Sequence, residues 1–322
     1  MPYTVGLEEP FAPYKAPSQE NLTALRLSIT PMNSPAPPVW FITGSSSGFG
    51  RHMTELVLQN GGIAVATLRS PSALSDLAAR YPSSQLLVLP LDVRQPEAIP
   101  TAFAEALAAF GRINVVFNNA GCGVLSEAEG STDDVVRPMF DANFWGAARV
   151  SREAVRVFRE VNQPAGGRLL QVSSMGGVQG LSALSYYCAS KCAIEGFTEA
   201  LAAEMRPEWD VKVTLIELGG FHTNAGRNMV RLPPHPAYVD PVLKQATARS
   251  YLQVNPWMPG DAAKATAKIY KLTELPDPPL HLPLGKDAQE AVKRKAQSLL
   301  AMAESFSSWS EGLELDVPLD RP

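Results

Sequence analysis

Short runs of apolar residues alternate along this chain with longer stretches in which apolar positions recur every three or four residues. From residue 39 the order is "VWFIT", "RHMTELVLQN", "GIAVATL", "SALSDLAARY" and "QLLVLPLDV". The continuous runs read as strands buried on both faces and the periodic stretches as amphipathic helices, which makes a βαβαβ unit. "INVVFNNAG", "GRLLQVSS" and "VKVTLIEL" extend it, each after a helical pattern; "LHLPLG" supplies a last strand and "DAQEAVKRKAQSLLAMAESF" a closing helix. Such alternation predicts an α/β fold, a doubly wound parallel sheet in a single domain over residues 39–305.

Two regions break the rhythm. Residues 1–38 carry eight prolines and read as an extended amino-terminal arm, with one helical turn expected near "NLTALRL". Residues 221–260 mix prolines and aromatics, with a short helix expected around "YVDPVLKQATARSYL". This second segment follows directly on the carboxyl end of a strand, where open α/β sheets bind ligands, and long irregular segments in compact domains usually serve function. It is expected to cover the substrate, with Phe221, Met229, Val230, Leu232, Tyr238, Leu252 and Trp257 selecting a fairly large apolar compound. Residues 306–322 form a tail.

Composition then narrows the chemistry. A net charge of −4 with only 19% charged residues gives no basic footprint for a phosphate backbone, so nucleic acid is not an expected partner and a small molecule is. No apolar run of about eighteen residues exists, so no membrane span is expected. The start lacks a basic stretch followed by an apolar one, and Glu8, Glu9 and Glu20 oppose a mitochondrial presequence, which points to a cytoplasmic protein. Cys122, Cys188 and Cys192 cannot all pair and lack zinc-site spacing; they read as thiols in a reducing compartment, and no metal is assigned.

Two motifs bear chemistry. "TGSSSGFG", Thr43 to Gly50, lies between the first strand and the first helix. Gly44, Gly48 and Gly50 there permit a tight turn, close approach of backbone to a pyrophosphate, and close packing of helix on strand. "SYYCASK", Ser185 to Lys191, sets two tyrosines before a lysine. In a helix, residues four apart share a face while neighbours diverge by roughly 100°, so Lys191 belongs with Tyr187 and not with Tyr186.

Together these motifs resemble the short-chain dehydrogenase/reductase family, in which three residues separate the first two glycines and three separate the tyrosine from the lysine. The resemblance covers about residues 38 to 220 and, more loosely, residues to about 305. It implies a Rossmann-type dinucleotide site built from Thr43, Gly44, Ser46, Ser47, Gly48, Phe49 and Gly50. Asp92 and Val93 of "LDV" would meet the adenine, Asn119, Ala120 and Gly121 of "NNAG" would stabilise that side, and Gly219, Gly220 and Thr223 would follow the sixth strand. It further implies a catalytic set of Asn143 in "DANFWG", Ser174, Tyr187 and Lys191. Tyr187 would exchange the proton, and Lys191 would lower the phenol from its ordinary pKa of about 10 and bond the nicotinamide ribose. Ser174 would hold the substrate oxygen and Asn143 would anchor a relay water. A homodimer or homotetramer through the helices of about residues 131 to 160 and 186 to 205 is the expected assembly.

Cofactor choice is read at the end of the second strand, "AVATLRS", where NAD-preferring relatives carry an acidic residue. Leu68 stands there, and Arg69 and Ser70 suit a 2′-phosphate, which favours NADP(H). One departure is Leu218, in "ELGGFHTN", where family members commonly have proline. The resulting expectation is an NADP(H)-dependent oxidoreductase interconverting a carbonyl compound and its alcohol. Two alternatives stay open: a non-redox cofactor-binding or sensor protein on the same scaffold, and an NAD-preferring dehydrogenase.

Overall fold

A computed structural model of the chain describes residues 36–240, 242, 249 and 258–313. Its centre is a seven-stranded, wholly parallel sheet: β1 (Val39–Thr43), β2 (Ile63–Leu68), β3 (Leu86–Pro90), β4 (Val115–Asn118), β5 (Gly167–Ser174), β6 (Val211–Leu218) and β7 (His281–Leu284). Their spatial order is β7-β6-β5-β4-β1-β2-β3. All seven apolar runs of the sequence form strands: β1, β2 and β4 are buried almost throughout, whereas β3 and β7, at the sheet edges, are only partly covered. Along β1, Trp40 and Ile42 enter the cluster with Met53, Val57, Phe117 and Ile269 on one face. Phe41, between them, joins Phe103, Val116, Val150 and Phe158 on the other, as the period of two requires.

The major helices are α1 (Gly48–Gln59), α2 (Ala98–Phe110), α3 (Asp133–Phe140), α4 (Ala147–Arg156), α5 (Ser185–Ala203), α6 (Ala262–Leu272) and α7 (Lys286–Ser305). Between α3 and α4 the chain stays helical through a π segment, Asp141–Gly146. One expected helix is reduced: "SALSDLAARY" yields only a 3₁₀ turn, Pro71–Leu74, and a single α turn, Ser75–Ala78. Pro71 starts it and Pro82 follows it closely, and only Leu74 and Leu77 are buried, too few to hold a longer helix.

Strand order reverses between β1 and β4, so the crevice at their carboxyl ends is the natural ligand position. The 221–260 segment rises from that edge. Phe221–His222 pairs with Gly260–Asp261, and Val230–Arg231 pairs with Val124–Leu125. The helix expected at "YVDPVLKQATARSYL", with Leu252 and Trp257, falls largely outside the described residues, as does the turn expected at "NLTALRL". Among the described residues no helix is long and apolar enough to cross a membrane.

Candidate active site

The glycine turn after β1 forms the first wall. Gly44 has φ +70° and Gly48 φ +55°, conformations that a side chain resists. Space is equally restrictive: a Cβ on Gly50 would lie 2.3 Å from Gly44 O and 2.8 Å from Asn119 Nδ2. The first turn of α1 therefore sits flush on the strand ends, with Ser47 as its extended N-cap and Ser46 exposed beside it. Helix geometry leaves the amides of that turn without internal partners, at the sheet's carboxyl edge, as an anionic pyrophosphate requires. The donor set fits a dinucleotide.

Several expected contacts take a different form. Thr43 is fully buried, and its Oγ1 accepts from the amides of Asn119 and Ala120, both at 2.9 Å. Asn119 Nδ2 donates back to Thr43 O at 2.9 Å. Thr43 thus braces the turn from within, and Phe49 and Val93, also buried, present only backbone. Thr223 closes the turn from far along the chain: its Cβ lies 3.3 Å from where a Cβ on Gly48 would sit. Gly219 and Gly220 are pinned by Asp287 in the first turn of α7, whose Oδ2 accepts from Gly220 N at 2.6 Å. Leu218, in place of proline, stays in the ladder opposite Ser174 and Leu284, and Asp287 supplies the restraint. Asp287 escaped the sequence reading; an acid two residues after Gly285 was its only signal.

On the adenine side, Arg69 and Ser70 are exposed at the end of β2. Asp92 does not stand alone there. Arg94 grips it through Nε, at 3.0 Å from both carboxylate oxygens, and through a second nitrogen at 2.5 Å. The Arg94 hydrogen bonds hold the Asp92 carboxyl below its usual range, with a smaller contribution from Arg69.

The second wall comes from β5 and α5. Tyr187 is half-buried and Lys191 buried, while Tyr186 turns to solvent, as the helical spacing requires. Ser174 ends β5; its Oγ accepts from Gly176 N at 3.1 Å and its hydroxyl hydrogen-bonds the Tyr187 phenol. Lys191 Nζ lies 6.0 Å from the centre of the Tyr187 ring and gives one of its three protons to Val172 O at 3.2 Å. Gly121 keeps room beside that ammonium: a Cβ there would come 3.8 Å from Nζ. Asn143 lies in the π segment, 1% exposed. Its Nδ2 donates to Cys122 O at 2.9 Å and to Ser190 Oγ at 3.0 Å, and its Oδ1 accepts from Cys122 N at 2.9 Å. Both amide donors are used, so the side chain ties the loop after β4 to α5, through Ser190 and onward to Tyr187 O.

Electrostatics depart from expectation in sign. Burial pushes the Tyr187 phenol up, and the hydrogen bond from Ser174 only partly opposes it. Lys191 is itself drawn down to about 8 by burial. In the chain alone, desolvation sets the direction of the phenol's shift, with Ser174 opposing it.

A doubly wound sheet whose switch-point crevice joins a dinucleotide-fitting glycine turn to a Ser–Tyr–Lys constellation defines a nucleotide-dependent oxidoreductase architecture. The chain belongs to the short chain dehydrogenase family, whose model matches residues 38–231. It is 33% identical over 276 residues to an uncharacterized oxidoreductase of Schizosaccharomyces pombe, covering 85% of this chain and 91% of that one. It is 30% identical to a 3-ketodihydrosphingosine reductase of Bacteroides thetaiotaomicron, over 77% of this chain and 88% of that one. A crystal structure of a short-chain dehydrogenase from Streptomyces avermitilis superposes with a TM-score of 0.78 at 32% identity, covering 88% of this chain and all of that one.

Proposed function

We propose that this oxidoreductase is NADP(H)-dependent and interconverts a carbonyl compound and its primary or secondary alcohol, with Asn143, Ser174, Tyr187 and Lys191 as its catalytic set. The observation that carries this reading is the convergence of the Tyr187 phenol, the Ser174 hydroxyl and the Lys191 ammonium beside the Gly44–Gly50 turn. When bound, the nicotinamide supplies or accepts the hydride. Ser174 donates to the substrate oxygen and fixes it beside the phenol. Tyr187 delivers the proton to that oxygen on reduction and removes it on oxidation. Lys191, as ammonium, holds the ribose and offsets the charge of the phenolate left behind.

Preference for NADP(H) rests on Arg69 at the end of β2, with Leu68 offering no carboxylate to ribose hydroxyls. Arg94 pairs with Asp92 and so offsets its negative charge near the same corner. The substrate side is apolar: Leu125, Leu184 and Cys188 cluster with Leu181, Tyr187 and Met229. A fairly large apolar carbonyl compound suits it, and the Bacteroides relative, named as a keto-compound reductase, accords with this class. We further propose a homo-oligomer through the helical stretch containing α3 and α4 and through α5, where Trp145 is 50% and Tyr186 36% exposed.

The test is direct. NADPH and NADH binding followed by fluorescence, and NADPH consumption with a panel of aldehydes and ketones, are measured for wild type, Tyr187→Phe and Tyr186→Phe. Tyr187→Phe should lose turnover by roughly 10²–10⁴-fold with NADPH affinity nearly unchanged, and Tyr186→Phe should lose little. Binding without turnover on any carbonyl, or equal losses in the two variants, overturns the reading.

A further inference from the structure

Beyond the catalytic turn of α5 lies a row of ionisable groups that the reaction above does not use. Tyr187, Lys191, Glu195 and Glu199 recur every four residues on one face of the helix. Glu195 is 7% exposed, and its Oε1 accepts from Ser173 Oγ at 2.5 Å, Ser173 being the neighbour of Ser174. The carboxylate is tightly enclosed: a Cβ on Gly177 would fall 2.1 Å from Oε1. Ser173 pairs in register with Glu217 of β6, which is 3% exposed. Glu217 Oε1 lies 2.7 Å from His281 Nδ1 on β7, and His281 Nε2 is 3.6 Å from Glu199. The titratable and charged groups around Glu195 are thus Tyr187, Lys191, Cys192 and Glu199 from its own helix, Glu217 from β6 and His281 from β7, with Ser173 of β5 and Gly177 packed against its carboxylate.

A buried carboxylate and a buried ammonium are each costly alone and offset one another when close. Glu195 and Lys191 stand one helical turn apart, both buried, close enough to act on one another through space without a direct ion-pair contact. We infer that Glu195 is a positioning residue for the reaction: its carboxylate keeps Lys191 an ammonium, while Glu217 and His281 set how much charge Glu195 carries. The inference rests on the role proposed above for Lys191.

The directions agree with that division of labour. Burial lowers Lys191 to about 8, and Glu195 is the leading influence restraining the fall. Glu195 is itself pushed up to about 7, by burial first, with Ser173 opposing, Glu217 adding to the rise and His281 opposing it. Its negative charge therefore develops as pH rises through the range in which Lys191 would otherwise lose its proton. Deleting that charge moves the lysine's titration to lower pH.

Glu195→Gln keeps the volume and an oxygen acceptor for Ser173 while removing the charge. NADPH affinity and turnover are measured from pH 6 to 10 for wild type, Glu195→Gln and His281→Gln, with thermal melting at each pH. The alkaline fall of both quantities should move down by about one pH unit in Glu195→Gln, a loss of about ten-fold at a fixed pH on that limb. Melting at pH 8 should change little, because removing the desolvation cost of the Glu195 carboxylate is offset by the loss of its attraction for Lys191. His281→Gln should shift the limb the same way by less. Superposable limbs, or a loss equal at every pH with a lower melting temperature, overturn the inference and leave Glu195 a packing residue. If Glu195→Gln does not fold, His281→Gln, at an exposed position, decides, and an unshifted limb there overturns it. If wild type binds NADPH but reduces no carbonyl, the functional reading fails, while the binding limb alone still decides this one.

Discussion

From Thr43 to Gly121 the sheet's carboxyl edge is braced by backbone: glycines with positive φ, a Cβ-free approach of α1 to β1, and Thr43 taking two amides of the neighbouring strand end. From Phe221 to Gly260 the segment we propose as a substrate cover is held, among the described residues, by a few long-range contacts. Arg249 forms a buried, two-toothed ion pair with Glu127, at 3.0 and 2.6 Å, and donates to Leu232 O at 2.7 Å. Tyr238 donates to Glu129 at 2.8 Å. Phe221, expected over the substrate, instead packs edge-on against Phe49, their ring centres 5.4 Å apart, and so belongs to the nucleotide side. The difference teaches that the two halves of the crevice are secured by different means, although Thr223 and Phe221 of the second pack against Gly48 and Phe49 of the first. The nucleotide half has its shape from local backbone limits, while the second half relies, among the described residues, on contacts far apart in sequence, the Arg249–Glu127 ion pair across 122 positions foremost.

The sharpest way to break that contrast is Arg249→Met. It strands Glu127 as a buried, unpaired carboxylate, a loss of about 3–5 kcal/mol in the segment's anchoring. Limited proteolysis of residues 232–258 should accelerate and the Michaelis constant for large ketones should rise, with NADPH affinity unchanged. A parallel fall in NADPH affinity would show that the halves are coupled. Thr43→Val makes the opposite cut, since it deprives two amides of their acceptor at roughly 1–3 kcal/mol each. NADPH binding and the melting temperature should drop while cleavage of the covering segment stays at the wild-type rate.

Smaller changes sharpen the picture. Leu68→Asp with Arg69→Ser should move the NADPH-to-NADH affinity ratio toward NADH, by about 1.5–3 kcal/mol for the lost charge-assisted bond. An unchanged ratio in a fluorescence titration would assign the phosphate to another residue, with Arg94 the first to examine. The smallest effect is in pH. Burial pushes Glu127 up, but the hydrogen bonds from Arg249 and from the amides of Glu127 and His235 outweigh it, so its carboxyl sits below the ordinary 4.5. For a lowered acid, the stabilisation is present above the unfolded value and is lost as pH falls through the folded one. Cleavage of the covering segment by an acid-active protease should stay flat from pH 8 to about 5 and rise only below that. A rise centred at pH 6 to 7 would mean that a histidine, not Glu127, governs the latch.

Much of this was legible along the chain because the relevant contacts are short in sequence. Seven apolar runs became seven strands, since short β-branched and apolar runs set between helices pair side by side in one parallel sheet, and "SYYCASK" aligned Tyr187 with Lys191 through the helical repeat alone. "SALSDLAARY" misled because periodicity registers a helical tendency but not whether enough of its apolar face finds cover.

What the sequence by itself determined is therefore the topology, the glycine turn and the choice between two adjacent tyrosines, each dictated by sterics or by a repeat acting over a few residues. Only the tertiary structure decided which charges meet. Arg94 on Asp92, Asp287 beneath Gly219 and Gly220, Arg249 on Glu127, and the line from Glu195 through Ser173 to Glu217 and His281 all depend on side chains brought out of water beside one another. The rise of the Tyr187 phenol is of the same kind: a neighbouring lysine names the partner, but burial decides the sign, and burial is a property of everything packed around the site.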